Sequence, residues 1–86
     1  MFVILTYDVH SKRVGKALKI CRKYLSHVQK SVFEGYLTKA QLKRLEEELK
    51  RLLVVEEDSV CVYQMDSLKY TRKEQIGRVK EQGNII

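Results

Sequence analysis

Proline is absent from these 86 residues, and there are only two cysteines and two histidines. Cys21 and Cys61 lack the close spacing of a metal knuckle or a redox pair, and His10 and His27 do not supply one, so neither a zinc site nor a thiol redox centre is expected. Each cysteine falls in an otherwise apolar pattern, which predicts two small buried hydrophobes. Long apolar runs are missing too. The opening run stops after Tyr7, well short of the roughly 18 residues that a membrane span needs, and no charged-then-apolar leader precedes it. Neither a membrane segment nor a secretory signal is expected, which leaves a cytoplasmic protein. A chain of this length makes one domain that buries only about 60–65% of its unfolded surface, so its core is thin and dimerisation would support it.

The scarcest feature of all is negative charge near the start. Asp8 is the only acidic residue among the first 33, a stretch that also carries Lys12, Arg13, Lys16, Lys19, Arg22, Lys23 and Lys30 and so nets +6. Residues 34–86 hold ten basic and ten acidic side chains, so the whole formal charge of +6 lies in the first third. A polyanion is the expected partner. Asp8 also closes the apolar run Phe2–Tyr7. A lone carboxylate therefore stands where a strand ends and a basic segment begins, a place where a divalent cation facing phosphate can use it.

The run at residues 2–7 is β-branched, aromatic and leucine, which suits a central strand covered on both faces. From Ser11, placed as N-cap, Val14, Ala17, Leu18, Cys21, Tyr24 and Leu25 recur at helical spacing. Lys12, Lys16, Lys19 and Lys23 share the opposite side of that helix, with Arg13 and Arg22 at its flanks. Val28–Phe33 reads as a second strand ended by Glu34-Gly35, and Gly35-Tyr36-Leu37 extends it toward a longer, bent, hairpin-like segment. Thr38 and Gln41 form a capping box, after which Leu42, Leu45, Leu49, Leu52 and Leu53 mark a second helix. That helix mixes signs on its outer face, with Glu46 placed for Lys50 and Glu47 for Arg51, so the first helix alone presents a cationic track. Glu56-Glu57-Asp58 stops the second helix. Ser59–Gln64 alternates as a third strand, residues 66–70 suggest a short further one, and residues 71–86 form a polar tail that would stay loose unless Ile85 and Ile86 dock.

Taken in order, Tyr7-Asp8-Val9, Lys12-Arg13, the segment Gln29-Lys30-Ser31-Val32-Phe33-Glu34-Gly35, Leu37-Thr38, and Asp58-Ser59-Val60 leading to Tyr63 resemble the CRISPR-associated protein two family. The resemblance covers residues 1 to about 70. It implies an α+β, ferredoxin-like (β-α-β-β-α-β) single domain over residues 1–86, with an antiparallel sheet and two helices on one face. It also implies a homodimer in which the tail, about residues 71–86, adds a C-terminal strand to the partner's sheet. The family's activity is metal-dependent endonuclease cleavage of single-stranded RNA or double-stranded DNA, and its setting is spacer acquisition with the CRISPR integrase. Position by position, the family's strand-end aspartate falls on Asp8, a basic residue early in its first helix on Arg13, and the serine and phenylalanine of its second strand on Ser31 and Phe33. Two departures stand out. Only Val9-His10 separates Asp8 from Ser11, and Ser26-His27 stands where relatives often place glycine and arginine, so that His27 would offer phosphate a weaker, pH-dependent contact.

On this reading Asp8 is the catalytic and metal-binding residue, and Mg2+, or Mn2+, is the cofactor. One carboxylate does not hold Mg2+ alone at useful affinity, and a two-fold axis could supply Asp8 of a second copy. From the residues alone, an aspartate at this place also fits an Asx-turn or a cap. His10 is a candidate general base or phosphate contact, against a merely solvated loop histidine. Ser31 would orient a phosphate, and Phe33 would either stack on a base or fill the core. Lys12, Arg13, Lys16, Lys19 and Lys23 would bind nucleic-acid phosphates without sequence preference. The alternatives are a non-catalytic basic dimer that bridges integrase subunits on DNA, and a toxin-like ribonuclease of the same fold.

Overall fold

The computed structural model describes residues 1–66. Its elements run β1 (Phe2–Asp8), α1 (Ser11–Arg22), β2 (Ser26–Gln29), β3 (Val32–Tyr36), α2 (Lys39–Leu52) and β4 (Ser59–Met65). All four strands join one sheet in the order β2-β3-β1-β4, and each neighbouring pair is antiparallel. This is the ferredoxin-like plan, β-α-β-β-α-β. The expected last strand and the tail at 71–86 lie outside the described residues.

Alternation along the strands decides which side carries the core. Val3, Leu5 and Tyr7 of β1 point to one face together with Phe33 of β3, and there they meet Ala17 and Cys21 of α1 and Leu42, Leu45 and Leu49 of α2. Leu25, just beyond α1, closes the same core. A Cβ on Gly35 would lie 3.2 Å from Leu25 Cδ2, so the bare backbone at that position lets Leu25 settle against β3. The central place of β1 is as expected, but the helices cover one face of it only. Phe2, Ile4, Thr6 and Asp8 point away from the helices, beside Val32, Glu34 and Tyr36 of β3 and Ser59, Cys61, Tyr63 and Met65 of β4. Tyr36 and Tyr63 are 66% and 56% exposed there.

The segment is a hairpin, as its extension suggests, but the turn falls inside the stretch Val28–Phe33 that reads as one strand. β2 turns through Lys30-Ser31 into β3, and the register slips between His27 and Gln29. A bulge of this kind breaks simple alternation, which is why His27 and Val28, adjacent in sequence, are both buried. The helix caps divide. Thr38 and Gln41 form the capping box expected of α2, with both reciprocal bonds made. At α1 the N-cap is His10 rather than Ser11: its ring Nδ1 accepts the Lys12 N–H at 3.1 Å. Two residues expected to be buried are exposed. Val14 is 37% exposed. Cys21 is buried, but Cys61 is exposed, because it lies on the sheet face away from the helices.

Candidate active site and nucleic-acid interface

Asp8 is the last residue of β1, exposed, and paired in register with Ser59 at the start of β4. Its even position in the strand sends it to the same face as Ile4 and Thr6. On the other side of β1, the Tyr7 N–H donates to the Ser31 carbonyl at 3.1 Å and ties the hairpin turn to the strand end. Tyr7, Asp8, Val9, Val14, Lys30 and Ser31 line one open cavity of about 300 Å3. The structure thus places Asp8 and Ser31 on one cavity, and with them Lys30, a cation that had no assigned role. A larger hollow of about 420 Å3 runs along α2 past Lys39, Lys43, Glu46 and Lys50. It mixes charges and contains none of the expected site residues.

Phe33 takes the core place of its two readings, and His27 serves the fold as well. Phe33 is fully buried; it stacks on His27 with ring centroids 4.6 Å apart and leans on Tyr7 at 5.4 Å. A side chain with no exposed surface cannot stack on a base. His27 is buried as well, with Nε2 3.0 Å from the Lys30 carbonyl, so it holds the hairpin turn and offers nothing to a phosphate. His10 is exposed, but its Nδ1 is occupied by the Lys12 amide, so only Nε2 faces outward. As a base it has lost the nitrogen that caps α1.

Arg13 is bound within the protein. Its Nε donates to Asp58 Oδ2 at 2.7 Å, and its Nη2 donates to Asp58 Oδ1 at 3.1 Å and to Glu57 Oε1 at 2.7 Å. The Asp58 carboxylate also accepts the His10 N–H and the Val54 N–H, each at 2.8 Å. The Arg13 guanidinium and these two amides hold the Asp58 carboxyl well below the usual carboxylate range, and the two carboxylates in turn hold Arg13 charged beyond its usual range. α2 ends at Leu52, before the acidic triplet expected to stop it; Asp58 closes that triplet, and nothing in its local pattern reveals a partner 45 residues away.

The cationic track is shorter than the spacing predicts. Lys12, Lys16 and Lys19 are exposed on α1, and among the described residues no carboxylate lies within ion-pair reach of them. Lys23 caps the helix and is bonded to Glu48 of α2, which also accepts from the Tyr24 hydroxyl. That pairing raises the affinity of Lys23 for its proton and lowers that of Glu48. Lys12, Lys16 and Lys19 are therefore left without a carboxylate partner among the described residues, whereas Arg13 and Lys23 each have one.

The family described as CRISPR associated protein Cas2 matches residues 1–73 of this chain. The chain belongs to the Cas2 family. It is similar to a CRISPR-associated endoribonuclease Cas2 of Thermotoga maritima, 48% identical over 86 residues that span 100% of this chain and 99% of the relative. The Cas2 endoribonuclease of Dictyoglomus turgidum is 42% identical over 77 residues, 90% of this chain and 88% of the relative. Among solved structures, one described as a crystal structure of Cas2 superposes with a TM-score of 0.83 at 45% identity, covering 93% of this chain and 90% of that one. Cas2 of Streptococcus pyogenes, crystallised at pH 6.5, gives a TM-score of 0.78 at 31% identity, over 90% of this chain and 100% of that one. These likenesses agree with the Cas2 resemblance that the strand-end Asp8 and the Val32-Phe33-Glu34 segment already carried.

No helix among the described residues is long and apolar enough to cross a membrane. Among the same residues no three His, Cys, Asp or Glu side chains gather into a metal-binding group. Asp8 is the carboxylate among the residues that line its cavity. Mg2+ binds through one or two carboxylates and keeps several waters, so an exposed carboxylate suits half of such a site.

Proposed function

We propose that this protein is a divalent-metal-dependent endoribonuclease that works as a homodimer in the cytoplasm, with Asp8 of each copy meeting across the two-fold axis. The observation that carries this reading is the direction of Asp8. It stands at the end of the central strand, beside Ser59, on the sheet face that the helices leave aside and that carries Ile4, Tyr36 and Tyr63 farther along the strands. Packing that partly apolar face against the same face of a second copy buries the two tyrosines and brings the two strand ends together. The endoribonuclease names of the relatives from Thermotoga maritima and Dictyoglomus turgidum support the choice of chemistry.

The two Asp8 carboxylates would hold Mg2+ or Mn2+, which when bound polarises a phosphodiester and activates water. The rest falls to the chain itself. Ser31 and Lys30, at the rim of the Asp8 cavity, orient and neutralise the phosphate that enters it. Lys12, Lys16 and Lys19 hold the flanking backbone without reading its bases. The track of lysines also favours a second role, in which the same dimer binds duplex DNA between CRISPR integrase subunits during spacer acquisition, with or without cutting it.

Asp8→Asn separates the two roles. It should abolish cleavage of single-stranded RNA across divalent metals while leaving RNA and duplex binding in place. Full cleavage by Asp8→Asn would sink the enzymatic reading, and absence of cleavage by the unmodified protein at any pH or metal tested would leave only the binding role.

A further inference from the structure

We propose that Asp58 is a positioning residue for Asp8, an inference that rests on the metal-dependent reading above. Asp8 is paired with Ser59, and two residues later the His10 N–H is bonded to Asp58 Oδ1 at 2.8 Å. Residues 8–10 are therefore held at both ends by two consecutive residues, 58 and 59. Only Val9 lies between the ligand and the second anchor. The same carboxylate takes the Val54 N–H at 2.8 Å and the side edge of the Arg13 guanidinium at 2.7 and 3.1 Å. Its side chain is 0% exposed, although Val55, Glu56 and Glu57 around it are open to water.

A shielded carboxylate with four hydrogen bonds joins three parts of the chain: the loop after Asp8, the first turn of α1, and the connection from α2 to β4. Stabilising that connection alone would need only the Val54 bond. The bonds to His10 and Arg13 instead fix the backbone that follows the metal ligand. A site in which each chain supplies one carboxylate has no further protein ligand to absorb a displacement, so a shift at His10 passes to Asp8 directly. Removing such a supporting group typically costs about 10- to 100-fold in metal affinity or activity.

The test uses the full-length protein with Mn2+ as probe. Mn2+ affinity is read by electron paramagnetic resonance, kcat and KM on a single-stranded RNA, and amide exchange at His10. Asp58→Asn should weaken Mn2+ binding and lower kcat by about 10- to 100-fold, with KM for RNA unchanged and with faster exchange at His10. Raising the Mn2+ concentration should restore part of the rate, a rescue that a misfolded protein would not show. Arg13→Gln leaves both backbone bonds to Asp58 and should give the same pattern more weakly. A folded Asp58→Asn protein with unaltered Mn2+ affinity and kcat overturns the inference. If Asp58→Asn does not fold, Arg13→Gln decides, and unaltered Mn2+ affinity in it overturns the inference equally. Asp8→Ala distinguishes the levels: loss of Mn2+ in that variant but not in Asp58→Asn removes the positioning role alone, whereas retention of Mn2+ by Asp8→Ala removes the metal reading and this inference with it.

Discussion

His27 lies flat against Phe33, with ring centroids 4.6 Å apart and planes 13° from parallel. Both rings belong to the β2–β3 hairpin and both are buried, so Phe33 takes the core place of its two readings and His27 lies beside it, away from any phosphate.

Phe33→Ala should therefore destabilise the protein by about 3–5 kcal/mol, the range for truncating a buried phenylalanine, and Phe33→Leu by less. Urea unfolding at fixed protein concentration measures this. RNA affinity of the folded fraction should not change. A loss of affinity without a loss of stability would return Phe33 to the binding surface.

The Asp58–Arg13 pair predicts how stability varies with acid. Asp58 ionises in the folded protein well below its ordinary value of 3.8, because the folded structure favours the charged carboxylate. Its contribution is complete above that ordinary value and is lost as pH falls toward the folded one, while Arg13 stays charged throughout. Thermal unfolding should show unmodified protein and Asp58→Asn furthest apart from about pH 5 upward and converging toward about pH 2. A gap that stays constant or widens in acid would mean that the carboxylate is not held in its ionised form by these bonds.

The cationic track predicts unequal lysines. Lys12→Gln, Lys16→Gln and Lys19→Gln should each reduce the slope of log affinity against log salt by about 0.9 on duplex DNA, or about 0.7 on a single strand, for each phosphate contact removed. Lys23→Gln should leave the slope unchanged, since Lys23 is held by Glu48. Equal effects at all four positions would show that nucleic acid pulls Lys23 away from α2.

Much of this fold is legible in the residues. The Thr38–Gln41 capping box and the leucine spacing mark α2, the apolar run marks β1, and the alternation of Ser59–Gln64 marks β4, because each pattern arises from contacts local to its own element. The β2–β3 hairpin is hidden for two reasons: its turn is Lys30-Ser31, without the glycine or asparagine that such turns favour, and the bulge after His27 spoils the alternation. Asp8 is legible as a lone carboxylate in a basic stretch. Its support is not, since the Arg13–Asp58 pair spans 45 residues and exists only once the sheet brings β4 beside β1. For the same reason Arg13 and Lys23 look identical in sequence to Lys12 and Lys16, although a carboxylate from elsewhere in the chain has taken each of them. Cys61 fits an alternating strand, but alternation does not say which face the helices cover.

The central claim is that two copies of Asp8 share one ion. Titration of the purified protein with Mn2+, followed by electron paramagnetic resonance, tests it most directly. The account predicts one tightly bound ion for every two chains, lost in Asp8→Ala while the dimer persists. One ion per chain, or binding that survives Asp8→Ala, would contradict it.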